Sequence, residues 1–194
     1  MKQSLFTMEH ARQLTADTNE LVLSGDTSAI TAPGQFVNIQ LPGKFLRRPI
    51  SICNWTKDAL LLLVRVVGEG THDLVRCVPG TELDVLSGLG NGFDLAKGGA
   101  HPILLGGGIG IAPLYGLAQR MLEAGIAPTV GLGFRSGGDA FYLEEFGKLG
   151  CRLMVATEDG SLGTKGFVTD LARHVPECGY AFVCGPTPML KAVH

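Results

Sequence analysis

His101-Pro-Ile-Leu-Leu-Gly-Gly-Gly-Ile-Gly-Ile-Ala-Pro-Leu-Tyr115 is the stretch on which the fold turns. It reads as a short buried strand, Ile103 to Leu105, then a glycine-packed turn, then a helix entered at Pro113. Proline near the first helical position wastes no hydrogen bond, because the first N–H groups of a helix have no internal acceptor. Gly106, Gly107, Gly108 and Gly110 carry no Cβ, so a ligand can lie directly against the backbone. The positive end of the helix dipole then favours phosphate. The pattern is not G-x-G-x-x-G, since Ile111 and Pro113 stand where the last glycine would fall. Tight packing is the competing explanation for such glycines.

Working outward toward the C-terminus, the helix after Pro113 repeats apolar residues at three and four (Leu114, Leu117, Ala118, Met121, Leu122), with Gly125 as its cap. A strand is predicted at 129–134, a helix at 141–148, and a strand at 151–157 set off by Gly150. A helix at 167–174 and a strand at 180–184 follow. Strands alternating with helices imply parallel βαβ units. Thr187-Pro-Met-Leu-Lys-Ala-Val-His194 has the make-up of a helix's opening turns, and the second domain is expected to be cut short there.

Toward the N-terminus the pattern changes at Lys97-Gly-Gly99. Short β-like runs alternate with turn chemistry: Leu21–Leu23, Gln35–Leu41, Arg47–Ile52, Leu60–Val67 and Glu82–Leu86. Five or six such strands suggest an antiparallel barrel or sandwich. The one confident helix begins near Thr71, as its N-cap, and runs through Arg76. The expected fold is therefore an antiparallel β-barrel, 1–97, followed by a doubly wound parallel sheet, 98–194.

Composition narrows the function. The chain has 194 residues, 45% of them hydrophobic and 18% charged, enough apolar material for a sizeable core. A net charge of −2 without a basic run argues against a nucleic-acid or membrane-surface partner. Residues 98–118 carry no charge, yet seven glycines and two prolines make them a poor membrane span. The five cysteines (53, 77, 151, 178, 184) show no C-x-x-C and no zinc spacing, so no metal site is expected within the chain. Their odd number, without a secretory leader, suggests reduced thiols and a cytoplasmic protein.

Four further constellations bear on chemistry. Arg48-Pro-Ile-Ser51 offers a guanidinium suited to pyrophosphate and a small hydroxyl, or simply an edge-strand arginine. Gly68-Glu-Gly-Thr71 offers N–H groups at a helix start, or a turn with a cap. Thr157-Glu-Asp-Gly-Ser-Leu-Gly-Thr-Lys-Gly166 follows a strand, where open α/β sheets bind ligands, or it is a plain surface loop. Cys184-Gly-Pro186 follows another strand, and a lone buried cysteine is usually packing.

Taken in order, Arg48-Pro-Ile-Ser51, Gly70-Thr71, Gly106-Gly-Gly-Ile-Gly-Ile-Ala-Pro113 and Cys184-Gly-Pro186 resemble the ferredoxin–NADP reductase superfamily. Within it, the chain most resembles electron-transfer subunits of type B dihydroorotate dehydrogenase. That resemblance rests on Arg47-Arg-Pro-Ile-Ser-Ile-Cys53, Phe141-Tyr-Leu-Glu-Glu-Phe146, Asp159-Gly-Ser161, Lys165-Gly-Phe-Val-Thr169 and Cys184-Gly-Pro-Thr-Pro-Met-Leu-Lys-Ala-Val193.

The resemblance implies FAD in the barrel domain and NAD(H) in the sheet domain. Arg48 would bind the FAD pyrophosphate within Arg48-Pro49-Ile50-Ser51, and Ser51 would lie near the flavin N5 edge. Leu63, Val64 and Arg65 would line the flavin, and Gly70 and Thr71 would offer N–H groups to phosphate. Many relatives carry tyrosine where this chain has Ile50. Gly106, Gly107, Gly108 and Gly110 would hold the dinucleotide, with Thr157, Asp159 and the Cys184-Gly185 corner toward its nicotinamide. The implied reaction is hydride transfer between nicotinamide and flavin, which demands no side-chain acid or base, so Ser51 and Cys184 stand as tuners of the reaction's surroundings.

The resemblance further implies an FMN-containing dihydroorotate dehydrogenase catalytic subunit as partner, in pyrimidine biosynthesis, and a [2Fe–2S] cluster in the complete protein. Such a cluster needs four grouped cysteines, which this chain lacks. The family favours NAD, whereas Arg135-Ser136 after the second sheet strand would suit the 2′-phosphate of NADP. Two alternatives stay open: another ferredoxin- or flavin-reductase-type NAD(P)H oxidoreductase subunit, and a nucleotide-binding module without turnover.

Overall fold

The computed structural model describes residues 1–175 and 177–193. The chain forms two compact units, Met1–Phe93 and a second from Asp94 onward.

In the first unit, six antiparallel strands close into a barrel. They are β1 (Lys2–Gln13), β2 (Thr18–Gly25), β3 (Phe36–Gln40), β4 (Arg48–Trp55), β5 (Ala59–Arg65) and β6 (Glu82–Leu89), in the order β1-β2-β5-β4-β3-β6. Alternate side chains fill the interior: Phe6 and Met8, Leu21 and Leu23, Val37 and Ile39, Ile50 and Ile52, Leu60, Leu62 and Val64, Leu83 and Val85. Period-two alternation puts one face of each strand inside, and each fully buried aliphatic side chain contributes about 1.5–3 kcal/mol. The register shifts between Phe36 and Asn38 and between Ile52 and Asn54, irregularities of the kind that bend strands into closure. Helix α1 (Glu69–Val75) joins β5 to β6 and inserts Leu74 into this core.

Two expectations are corrected here. The twelve-residue β1 carries no strand reading in the sequence, because only Phe6 and Met8 of it are buried and its second half is charged and exposed. Helix α1 is capped by Gly68 in an extended conformation, not by Thr71, which sits at the third helical position. The Thr71 hydroxyl accepts from Val67 N (3.0 Å) and Gly68 N (3.3 Å) and donates to the Gly68 carbonyl (3.0 Å). Its side chain fastens the helix start from within.

The second unit is a five-stranded parallel sheet. Its strands are β7 (Pro102–Gly107), β8 (Thr129–Phe134), β9 (Arg152–Thr157), β10 (Thr164–Lys165) and β11 (Tyr180–Cys184), in the order β10-β9-β8-β7-β11. Interior β7 is buried throughout, as a strand covered on both faces must be. Helices α2 (Ala112–Glu123), α3 (Leu143–Leu149), α4 (Val168–Leu171) and α5 (Thr187–Val193) complete the unit. Ile103, Leu105 and Ala156 pack against Val168 and Leu171 of α4. Gly106, one residue past Leu105 and so on the opposite face, meets Ile111 and Leu114 at the start of α2. The barrel-then-doubly-wound-sheet architecture is the one expected.

The element ends differ. The helix expected at 141–148 starts at Leu143. Before it, Tyr142 is left-handed at φ 65° and buried, edge-on to Tyr115 at 5.1 Å. An aromatic cluster, with Phe141 against Phe134 at 5.5 Å, claims the two residues that pattern alone assigns to the helix. The helix expected at 167–174 is α4 followed by a 3-10 turn, Ala172–His174.

Candidate functional site

Each unit carries one group of the expected residues. In the barrel unit, β4 begins with Arg48. The neighbouring Arg47 is consumed by the fold: its guanidinium donates to Asp84 Oδ2 (2.8 Å) and to the carbonyls of Asp84 (3.0 Å) and Asn38 (3.3 Å). That arginine holds the Asp84 carboxyl below its usual range. Among the described residues Arg48 is engaged by carbonyls, its Nη1 donating to Leu46 O at 2.8 Å. Its side chain crosses the first turn of α1, where a β-carbon on residue 70 would stand 1.7 Å from Arg48 Nε. Two motifs 22 residues apart in sequence thus meet, and they leave a guanidinium beside the opening turn of a helix.

The rest of the group divides by the alternation of the strands. Pro49 and Ser51 are exposed on the outer face of β4, while Ile50 is packed in the core. Val64 also belongs to that core, so its side chain faces the barrel interior and its backbone is what it offers outward. Leu63 points the other way and is buried. Arg65 is committed to Asp17, Nε to Oδ2 at 2.7 Å. Burial of Asp17 works against its charge, but hydrogen bonds from Arg65, Thr18 and Thr15 outweigh it and lower its pKa.

In the sheet unit, the parallel register lines up the expected residues along the C-terminal edge. Cys184 pairs with Gly106, Gly107 with Gly133, and Phe134 with Thr157. Open α/β sheets bind ligands at such edges. The glycines, however, serve different ends. Gly106 and Gly107 are strand residues rather than turn residues. A Cβ on Gly106 would come within 2.9 Å of Ile111 Cγ1, and one on Gly107 within 2.5 Å of Met189 Sδ. A Cβ on Gly110 would stand 2.4 Å from Cys184 O and 2.7 Å from Gly185 N. Gly185 in turn has Met189 Sδ at 2.5 Å from its missing Cβ. These four are small because protein packs there. Gly108 alone of the set has open space before it, with φ +53°, at the head of the 3-10 turn Gly108–Ile111 that leads into α2.

Cys184 is half-buried, and burial pushes its thiol up, so it is protonated at neutral pH. Thr157 is fully buried, its hydroxyl donating to Leu162 O (2.8 Å) and accepting from Leu162 N (3.1 Å). The hydroxyl is taken up in folding the loop. Asp159 is exposed and accepts from Ser161 N (2.9 Å) and Ser161 Oγ (2.6 Å), which lowers its pKa. Ser161 Oγ accepts in turn from Gly137 N at 2.7 Å, tying this loop to the one after β8.

Sequence reasoning quoted Ser161 within a motif but gave it no role of its own, and it passed over Asp139. The Asp159-Gly-Ser161 spacing is that of a side chain bonding its own backbone two residues on, and it could have signalled the first. Asp139 stands four residues after Arg135 and pairs with it at 3.4 Å. Among the described residues no group of three His, Cys, Asp or Glu side chains could hold a metal ion, and all five cysteines are free thiols. No helix among those residues is long and apolar enough to cross a membrane.

Comparison with known proteins places these features. Residues 104–194 match the family description of the oxidoreductase NAD-binding domain. The electron transfer subunit of dihydroorotate dehydrogenase B (NAD(+)) from Shouchella clausii is 42% identical over 99% of this chain and 77% of its own length. That from Listeria monocytogenes is 44% identical over 76% of this chain, and the match spans 60% of the Listeria protein. The solved structure of the NADH-dependent reduced ferredoxin-NADP oxidoreductase, reported for flavin-based electron bifurcation, superposes with a TM-score of 0.87 at 31% identity. It covers 97% of this chain and 70% of that one. A ferredoxin NADP+ reductase from Neisseria gonorrhoeae with bound FAD and NADP shares the fold, with a TM-score of 0.85 at 14% identity over 100% of this chain and 89% of its own. Two well-matched relatives of one kind, on a barrel-plus-sheet frame with these motifs in order, settle the membership: the chain belongs to the family of electron transfer subunits of dihydroorotate dehydrogenase B (NAD(+)).

Proposed function

We propose that this chain exchanges hydride between NAD(H), held by the sheet unit, and FAD, held by the barrel unit, and passes electrons to or from an FMN-containing dihydroorotate dehydrogenase catalytic subunit in the cytoplasm. The observation that carries the reading is the placement of Arg48 against Gly70. A guanidinium with spare donors lies over the opening turn of α1, and a Cβ there would push it away. That arrangement fits a diphosphate: a planar fork of donors beside helix N–H groups without internal acceptors.

When bound, FAD supplies a two-electron acceptor that can also release electrons singly. The protein's part is orientation. Arg48 and the start of α1 fix the diphosphate, and exposed Ser51 offers a hydroxyl on the outer face of β4. Asp17 holds Arg65 so that the end of β5 keeps its place. In the sheet unit, the open backbone at Gly108 leads into α2 and suits the dinucleotide's phosphates. The protonated Cys184 presents a compact, uncharged group rather than a nucleophile.

The cysteines present do not fit a [2Fe–2S] centre, which needs four thiolates together. A cluster in the complete protein would need other ligands than these.

The test is the visible spectrum of the purified protein with identification of the released flavin, followed by anaerobic addition of NADH. Bound FAD bleached by NADH is expected. Folded protein that neither carries nor takes up FAD would overturn the reading. FAD that NADH leaves oxidised would return the chain to a binding module without turnover. Co-purification with a TIM-barrel FMN subunit that converts dihydroorotate to orotate tests the partner.

A further inference from the structure

The loop after β8 holds an arrangement that composition could not show. Arg135 and Ser136 stand where a dinucleotide-binding sheet usually reads the adenosine ribose, and their side chains would suit a 2′-phosphate. Both side chains engage Asp139 instead. Asp139 Oδ1 pairs with Arg135 Nη2 at 3.4 Å, and Asp139 Oδ2 accepts from Ser136 Oγ at 2.9 Å. Asp139 N donates to Ser136 O at 3.1 Å, closing the turn Gly137–Asp139. The turn is braced from the loop after β9, because Gly137 N donates to Ser161 Oγ (2.7 Å) and Asp159 N donates to Arg135 O (3.2 Å).

We infer that Asp139 is the specificity-determining residue for the dinucleotide, making this chain selective for NAD(H) over NADP(H) despite its arginine. An exposed arginine–carboxylate pair adds little stability, so its weight here lies in charge rather than in folding. An incoming 2′-phosphate would meet a carboxylate beside a guanidinium already paired with it, whereas a 2′-hydroxyl can donate to that carboxylate. The braced turn fixes the Asp139 backbone, and swinging the carboxylate clear would break its contacts with Arg135 and Ser136.

This inference rests on the proposal that the sheet unit binds a nicotinamide dinucleotide. The test is calorimetric titration of the full chain with NAD+ and, separately, with NADP+, neither of which demands turnover. The unsubstituted chain is expected to prefer NAD+. Asp139→Asn and Asp139→Ser should each shift the ratio of affinities toward NADP+ by about tenfold or more, the worth of freeing one charge-assisted hydrogen-bond donor. Adding Arg135→Ala to Asp139→Asn should cancel that shift. NAD+ binding with an unchanged ratio in both Asp139 variants would overturn the role of Asp139 alone. A chain that binds neither dinucleotide would overturn the underlying reading as well.

Discussion

Arg48 Nε lies 1.7 Å from the point where a β-carbon on residue 70 would be, so glycine at 70 is what lets the arginine cross the first turn of α1. The relationship separates a local preference from a tertiary one. In a helix interior alanine is favoured over glycine by roughly 1 kcal/mol. Here the helix forgoes that gain, and the space goes to a guanidinium.

Gly70→Ala is therefore expected to leave thermal stability unchanged or slightly raised, because the displaced atoms belong to the far end of a flexible side chain. FAD retention should fall nonetheless, by about tenfold if one charge-assisted bond is lost. Arg48→Ala should lose FAD to a similar extent. Flavin content after gel filtration and melting curves together check this, and unchanged FAD affinity in either variant would contradict the diphosphate role.

Gly110 and Gly108 should differ in what their substitution disturbs most. A Cβ on Gly110 would stand 2.4 Å from Cys184 O, which is backbone and cannot turn aside. Gly110→Ala is expected to destabilise the sheet unit by about 1–3 kcal/mol, the cost of overpacking. Gly108→Ala meets open space and incurs only the left-handed backbone penalty, about 1–2 kcal/mol. Its larger effect should be on NAD+ affinity. Denaturant titration and calorimetry separate the two variants.

Thr157→Val keeps shape and removes the hydroxyl that both donates to and accepts from Leu162. Leaving those partners unsatisfied next to a fully buried position should cost about 1–3 kcal/mol. Amide exchange should accelerate in residues 158–163 while the barrel unit stays protected. Equal acceleration in both units would show a global effect instead.

The link from Asp159 through Ser161 to Gly137 should be sensitive to acid but not to alkali. Hydrogen bonds from Ser161 lower the Asp159 pKa below its ordinary 3.8. A carboxyl depressed on folding contributes stability that is fully present above the unfolded value and is lost as pH falls through the folded one. Protection of the Gly137 amide, corrected for intrinsic exchange, is expected to stay level from neutral pH down to about 5 and to decline only below the ordinary aspartate range. Asp159→Asn should remove that acid response.

Much of the architecture was legible in the chain because it depends on periodicity and punctuation. Leu21–Leu23, Gln35–Leu41 and Glu82–Leu86 alternate, and each lies within or around an observed strand. Leu114, Leu117, Ala118 and Met121 recur at helical spacing, and all are buried in α2. β1 escaped notice because a strand with little burial leaves no pattern. Phe141 and Tyr142 misled because their place is set by contacts with Phe134 and Tyr115, not by their neighbours in sequence.

By itself the sequence determined the order of a barrel and a parallel sheet, and the positions of Arg48, Gly70, Gly106–Gly110 and Cys184 within them. Local spacing and residue type carry that information. Only the tertiary structure decided what each residue is free to do. It turned the Val64 side chain into the barrel core, bonded the buried Thr157 hydroxyl to Leu162, gave three of the four glycines at 106–110 to packing, and set Asp139 against Arg135. Those outcomes depend on which atoms arrive from distant parts of the chain, and a motif names residue types without showing which of their polar groups the fold already engages.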